Sequence, residues 1–268
     1  MKSLTTLGRR LCALVLAMAA IAMSAGPAMA MRVSPMVVEM VSSGGGAVAR
    51  IEIQNINQGN LAFETRVFLM TIDADGKMTE TPADDKFLIF PPQGALPPGG
   101  RQVIRLQWVG EPDLAASQAY YVSVQQLPVA FEPAAADSVD AQVQVLYNMR
   151  ALVVVAPNGA KPDVKAVAAK QVNYQPPAEA GSNTLPPLQD GVEVTLKNEG
   201  RRHAMMSNFG WRLEGTDTAG KGLRVDITPE ELNRAVGTGY VPALGERKFK
   251  LPVPGFDPAK PIKLSFIQ

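Results

Sequence analysis

The chain has 268 residues, of which 46% are hydrophobic and 19% are charged, as is typical of a folded globular protein rather than a disordered one. Its 26 Lys and Arg residues nearly balance its 25 Asp and Glu residues, which excludes a nucleic-acid binder that depends on a strongly basic face. With one Cys and one His, most cysteine- and histidine-based metal sites are excluded, and we expect neither a metal nor a cofactor.

Residues 1–30 have the pattern of a secretory signal peptide. Lys2, Arg9 and Arg10 precede a short apolar run, and Ala28-Met29-Ala30 supplies the small residues of a cleavage site. The run spans about 13 residues, whereas a membrane-spanning helix needs about 20, so we expect no membrane insertion. Cleavage would leave 23 basic and 25 acidic residues, a net charge of −2.

After residue 30 the sequence predicts short strands separated by turns. Residues 31–40 form an ordinary first strand in this prediction. Further strands are expected at residues 47–54, 61–72, 87–90, 101–108, 120–127 and 142–155. The Asp73-Ala74-Asp75-Gly76 segment between two of them favours a hairpin turn over a calcium loop, because the later ligand positions are wrong for calcium.

A turn-rich segment at residues 157–162 is the expected boundary between two domains, at 31–157 and 158–268. The second domain should contain strands at residues 164–174, 192–197, 209–214, 248–253 and 262–266, with a loop at 175–191. Thr228-Pro229-Glu230-Glu231 is a capping box with proline at the first helical position, so a short helix is predicted to about Arg234. Many short strands and one short helix indicate an all-β protein built from sandwiches.

No residue set argues for catalysis, and we expect the protein not to be an enzyme. The only imidazole, His203, follows two arginines in an apparent turn between strands, where a solvated loop histidine is expected. No nucleophile motif, phosphate-binding glycine loop or zinc motif is present in the sequence.

The most informative segment alternates apolar and polar residues from Val139 to Val155, about 17 residues. Such alternation is typical of a half-buried strand, but strands are usually 5–6 residues long. Two interpretations remain open: a long core strand, or a strand of which part is an edge that pairs with another chain.

Several segments, in this order, resemble the N-terminal domain of the periplasmic pilus chaperones, the PapD-like partners of outer-membrane ushers. They are Phe90-Pro91-Pro92, Leu96-Pro97-Pro98-Gly99-Gly100, Gln102-Val103-Ile104-Arg105-Leu106, Tyr120-Tyr121-Val122, Gln126-Leu127-Pro128 and Val153-Val154-Val155-Ala156-Pro157. The resemblance covers nearly all of residues 31–157 and is looser beyond them. It implies two Ig-like β-sandwich domains in tandem, set at an angle.

The resemblance also implies a function. Such chaperones cap a pilin-like subunit, which lacks its final strand, by lending it a strand, and then deliver it to the usher in the periplasm. Val143, Val145, Tyr147 and Met149 match the lending positions, and residues 129–139 match the loop that meets the usher. The protein would be a monomer when subunit-bound. Arg105 matches a family arginine of the domain interface, with Asp257 as its acidic partner.

The family's basic anchor for the subunit's C-terminal carboxylate has no direct counterpart here, because its two positions fall near Val37 and on Leu152. Arg150 lies two residues upstream on the same face of the strand, so it is the expected replacement. The alternative function is a structural or adhesive Ig-like subunit of a surface fibre. A fibre subunit should carry a donor segment at its mature N-terminus and lack one strand, whereas residues 31–40 have the pattern of an ordinary strand.

Overall fold

A computed structural model describes residues 31–128, 145–176, 178 and 184–267. These residues form 18 β-strands and one α-helix, and they fold as two Ig-like β-sandwiches in tandem, which confirms the all-β prediction. No helix in the described part is long and apolar enough to span a bilayer.

The first sandwich pairs a four-stranded with a six-stranded sheet. The four-stranded sheet has the order β1 (Met31–Ser34), β3 (Val48–Asn55), β8 (Arg101–Trp108) and β6 (Phe87–Phe90). The six-stranded sheet has the order β2 (Val37–Val41), β10 (Asn148–Ala156), β9 (Gln118–Leu127), β4 (Leu61–Ile72) and β5 (Met78–Pro82), and β7 (Gln93–Leu96) also pairs with β4. β2 and β10 are parallel, whereas β10 and β9 are antiparallel.

Apolar residues at alternate strand positions fill the first core. An aromatic cluster lies inside it, where the Phe87 ring meets Trp108 edge-on at 5.2 Å and Tyr120 edge-on at 5.1 Å between centroids. Such pairs contribute about 0.5–1.5 kcal/mol beyond the buried area. Burial, together with the nearby charge of Asp85, raises the pKa of Tyr120 to about 12, so the phenol stays neutral and donates to Gln118 Oε1.

The second sandwich consists of two three-stranded sheets and a short strand pair. One sheet has the order β11 (Val164–Tyr174), β12 (Gln189–Asn198) and β17 (Glu246–Leu251). The other has the order β15 (Gly222–Ile227), β14 (Gly210–Thr216) and β18 (Lys263–Ile267), and β13 (Ala204–Met205) pairs with β16 (Tyr240–Val241). Trp211 is fully buried at the centre, with the rings of Phe249 and Phe266 edge-on to it.

The predicted helix is confirmed as α1 (Pro229–Val236), which begins at a complete capping box. The Glu231 backbone N–H donates to Thr228 Oγ1, and the Thr228 backbone N–H donates to Glu231 Oε2 at 2.8 Å. This second bond lowers the pKa of Glu231 below its ordinary value. Leu232 is buried in the second core, so the cap fixes a helix that contributes to that core.

Replacing Thr228 by Ala should lower the free energy of unfolding by about 1 kcal/mol, because the Glu231 N–H loses its acceptor at the helix start. Urea denaturation of the two proteins measures the difference. Thr218→Ala, in an exposed turn, is the matched control and should change stability by less than about 0.5 kcal/mol. Equal effects of the two substitutions would contradict a stabilising role for the cap.

The single strand predicted at residues 31–40 is wrong, because β1 and β2 are separate strands in different sheets. Five strands were not predicted: β5, β7 and β15, and the two-residue strands β13 and β16. The residues of β5, β7 and β15 are largely exposed, with Leu96 and Ile227 the buried exceptions. Apolar alternation predicts strands with one buried face, so short strands at the margin of a sheet give little signal. The predicted Asp73 turn is confirmed between β4 and β5, where the Lys77 N–H donates to Asp73 Oδ1 at 2.8 Å.

The strand before residue 157 is shorter than the 17 residues that its alternation predicts. β10 has nine residues, and its ladder with β9 begins at the Asn148–Gln125 pair. β9 itself continues to Leu127, and its Gln126 N–H donates to Tyr147 O at 2.9 Å, one residue before β10 begins. Residues 145–147 are described without strand structure, and residues 129–144 lie outside the described part.

Candidate binding edge and cleft

The four predicted lending residues fall in different surroundings. Val143 lies outside the described residues. Val145 is 62% exposed and precedes β10, whereas Tyr147 and Met149 are partly buried and pack against the first core. The exposed fraction of these side chains therefore decreases toward β10. Val145 is mostly in solvent, whereas Tyr147 and Met149 lie at the rim of the core.

The backbone of the same segment has one unpaired side. β2 pairs with β10 only from Leu152 to Ala156, and the Leu152 N–H donates to Met36 O at 2.8 Å. No described strand pairs with residues 148–151 on that side, although β9 covers the opposite side. Residues 145–151, hereafter the open edge, thus combine free backbone groups with apolar side chains, as a strand that accepts a partner chain requires.

Arg150 lies on the outer face of the six-stranded sheet and is already paired. Its Nη1 atom is 2.5 Å from Glu80 Oε1 on β5. Its guanidinium carbon lies 5.7 Å from the ring centroids of both Phe68 and Tyr121. Two aromatic faces and one carboxylate thus hold the arginine in place, and the Arg150 side chain remains 38% exposed. An incoming carboxylate would have to share or replace Glu80.

The two positions that match the family's basic anchor lie side by side. Leu152 on β10 is directly opposite Val37 on β2 in the parallel ladder. Both are apolar, so no basic group stands at these positions. Arg32 lies on β1 in the other sheet, opposite Gln54, and does not reach this face. Arg150 is therefore the basic residue of β10 on the face that carries Leu152.

A cavity of about 550 Å³ lies between the two sandwiches beside Val37. The second sandwich contributes Ser207, Asn208, Asn233 and Glu230 to its wall. Glu230 is the charged residue among the lining residues, and none of them is basic. A free carboxylate would be repelled by Glu230 here, so the cavity suits neutral or backbone groups.

Contacts between the sandwiches, hereafter the junction, form two groups. In one, Arg201 donates to the carbonyls of Ala115 at 2.6 Å and Leu114 at 2.9 Å. In the other, Lys248 Nζ lies 2.8 Å from Asp75 Oδ1 in the β4–β5 turn. Between them a small apolar cluster joins the domains. It contains Met70, Ala119, Leu152, Val154 and Tyr240.

The predicted interface residues Arg105 and Asp257 make described contacts only within their own sandwiches. Arg105 is exposed on β8 and bonds Gln107 at 3.1 Å. The Asp257 carboxylate accepts from the Ala259 N–H at 2.9 Å in a turn. Their assignment to the junction thus stays a prediction that none of these contacts supports.

His203 is buried, so the expectation of a solvated loop histidine is wrong. Its side chain is 1% exposed, and its backbone N–H donates to Ser117 Oγ in the first sandwich at 2.8 Å. The ring stacks on Tyr240 with 5.7 Å between centroids. The turn that carries His203 is exposed locally but is covered by the neighbouring sandwich, which sequence patterns do not reveal.

A second surface went unpredicted. Leu88 and Phe90 on β6 are 58% and 71% exposed, and Phe90 lies opposite Arg105 in the ladder with β8. Residues 87–90 are all apolar, a run that predicts a strand but does not indicate which side chains are exposed. Leu88 and Phe90 are two residues apart on one strand, so both point to the same exposed face of the sheet.

No protein-family model matches the chain, and no curated protein matches it. Among solved structures, the class 5 fimbriae chaperone CfaA is 11% identical with a TM-score of 0.51, and the match covers 89% of this chain and 99% of that one. A chain of the chaperone–tip adhesin complex of CFA/I fimbriae biogenesis is 10% identical with a TM-score of 0.50. The match covers 89% of this chain and 98% of that one. The chain has the fimbrial chaperone fold. Within this fimbrial chaperone fold, the open edge belongs to the first sandwich and the cavity lies at the junction.

Proposed function

We propose that the protein is a periplasmic chaperone that caps pilin-like subunits by donor-strand complementation and delivers them to an outer-membrane usher. The observation that carries the proposal is the open edge, where residues 145–151 present unpaired backbone and alternate apolar side chains. The fimbrial chaperone fold supports it. The proposed role is binding, not catalysis.

Strand donation explains why Val145 is exposed. A subunit that lacks its final strand has a hydrophobic groove, which Val143, Val145 and Tyr147 would fill at alternate positions. Each large apolar side chain that leaves water contributes about 1.5–3 kcal/mol. Backbone hydrogen bonds between the donated strand and the subunit would stabilise the complex further, because free N–H and C=O groups on both edges become paired.

We place the domain boundary at residue 157, with domains at 31–157 and 158–268. This division agrees with the two main hydrophobic cores, whose buried members span residues 31–155 and 192–262.

The signal-like sequence at residues 1–30 supports export. For the usher, residues 129–139 remain the proposed contact by resemblance, and the exposed Leu88 and Phe90 offer an apolar surface on the same sandwich.

The test is co-expression of the mature chain with an aggregation-prone pilin-like subunit that lacks its final strand. The expected result is a soluble one-to-one complex by native mass spectrometry. A version of the subunit with its own donor strand fused at the terminus should remain soluble alone and should not bind. Self-assembly of the chain into fibres, without such a complex, would favour the alternative of a fibre subunit and overturn the proposal.

A further inference from the structure

The outer face of the four-stranded sheet collects basic side chains, although the charges of the whole chain nearly balance. Side chains at alternate positions of β1, β3 and β8 point away from the first core, and four of these are arginines whereas one is acidic. The arginines are Arg32, Arg50, Arg101 and Arg105, and the acidic residue is Glu52, which lies 3.2 Å from Arg101. This surface, hereafter the arginine face, therefore has a net charge of +3.

Two of these arginines stand directly opposite each other. Arg50 on β3 faces Arg105 on β8 in the antiparallel ladder. Within the described part of the chain, neither guanidinium is ion-paired, and that of Arg105 bonds the neutral amide of Gln107 at 3.1 Å. Like charges directly opposite on a sheet destabilise it, so an anion bound between these two cations would relieve their repulsion.

Exposed apolar side chains border the same cations. Phe90 is directly opposite Arg105 on the other side of β8, and Leu88 points to the same face from the same strand. Val103, two residues before Arg105, is 45% exposed on this face as well. Unpaired cations and large apolar side chains thus share one surface, which matches an occupant that is both anionic and apolar.

We propose that the arginine face docks peripherally on an anionic lipid bilayer, with its arginines at the phosphate headgroups and Leu88, Phe90 and Val103 at the boundary with the acyl chains. The face spans four neighbouring strands, about 14 Å at the usual strand spacing. An extended peptide would cover one row of these side chains, whereas a bilayer surface contacts all four strands at once. The open edge belongs to the other sheet of the sandwich, so a subunit and a membrane could be bound together. An acidic segment of the usher or of another protein is the alternative occupant.

The experiment is co-sedimentation of the purified mature chain with vesicles of phosphatidylcholine alone and of phosphatidylcholine mixed with phosphatidylglycerol. We expect binding to the anionic vesicles only, and weaker binding as salt screens the arginines. Each arginine near an anionic membrane surface strengthens binding about fivefold, so Arg50→Gln combined with Arg105→Gln should weaken it about 25-fold. Phe90→Ala should weaken it about tenfold, because a large apolar side chain no longer leaves water.

Arg66→Gln combined with Arg234→Gln is the matched control, because it removes two exposed arginines from other surfaces and changes the net charge equally. It should leave vesicle binding unchanged. Thermal melting checks each fold, and if the double variant of the face unfolds, Phe90→Ala and the salt dependence decide the outcome. Equal binding to neutral and anionic vesicles, or equal losses from the two double variants, would overturn the proposal. Binding to soluble poly-glutamate without binding to vesicles would also overturn it and assign the face to an acidic protein segment. These measurements use no subunit, so their outcome is independent of the proposed strand donation.

Discussion

Replacing Val145 by Asp should reduce subunit capture by at least about a hundredfold while leaving the free protein folded. In the proposed complex, the new carboxylate would enter an apolar groove without a partner, which costs several kcal/mol. In the free protein, Val145 is 62% exposed, so the change should alter stability by less than about 0.5 kcal/mol. Capture is measured by co-purification with the pilin-like subunit, and stability by thermal melting.

Val153→Asp is the matched control, because Val153 points to the same side of the segment but is fully buried in the first core. It should unfold the free domain, since the carboxylate is then buried in the protein's own core. A free Val145→Asp protein that melts many degrees lower would place Val145 in that core as well. The open edge would then not be the binding edge.

Arg150→Ala should weaken capture of a subunit by about tenfold to a hundredfold, provided that the subunit's terminal carboxylate reaches the guanidinium. A hydrogen bond to a charged group contributes about 1.5–3 kcal/mol, and the partial exposure of Arg150 favours the lower end. Dissociation constants from calorimetry with the purified subunit give the effect directly. Amidation of the subunit's C-terminus should remove most of the difference between the two proteins.

Two further variants separate charge recognition from general effects. Glu80→Gln frees Arg150 from its internal carboxylate and should therefore strengthen capture, the opposite of Arg150→Ala. Arg66→Ala removes an exposed arginine on the same face two strands away, since Arg66 and Arg150 both lie opposite Ser123, and it should leave capture unchanged. Equal losses from Arg66→Ala and Arg150→Ala would indicate only a general electrostatic attraction.

Local patterns determined most of the elements in this protein. Alternating apolar residues predicted the strands with one buried face, and the capping box predicted the helix, because both depend on residues close in sequence. The ordered segments from Phe90 to Pro157 also pointed to the chaperone fold. Arg150 could be named as an anchor candidate because alternation places it on the same face as Leu152.

Tertiary structure alone decided the surroundings of the site. The Arg150–Glu80 pair joins residues 70 positions apart, and the Val37–Leu152 pair depends on the register of two parallel strands. β10 begins at Asn148, inside the alternating segment, so alternation does not encode where the strand starts. His203 is buried because the first sandwich covers its turn. In each case the contacting residue is distant in sequence. Local sequence patterns therefore do not predict the contact, and only folding brings the groups together.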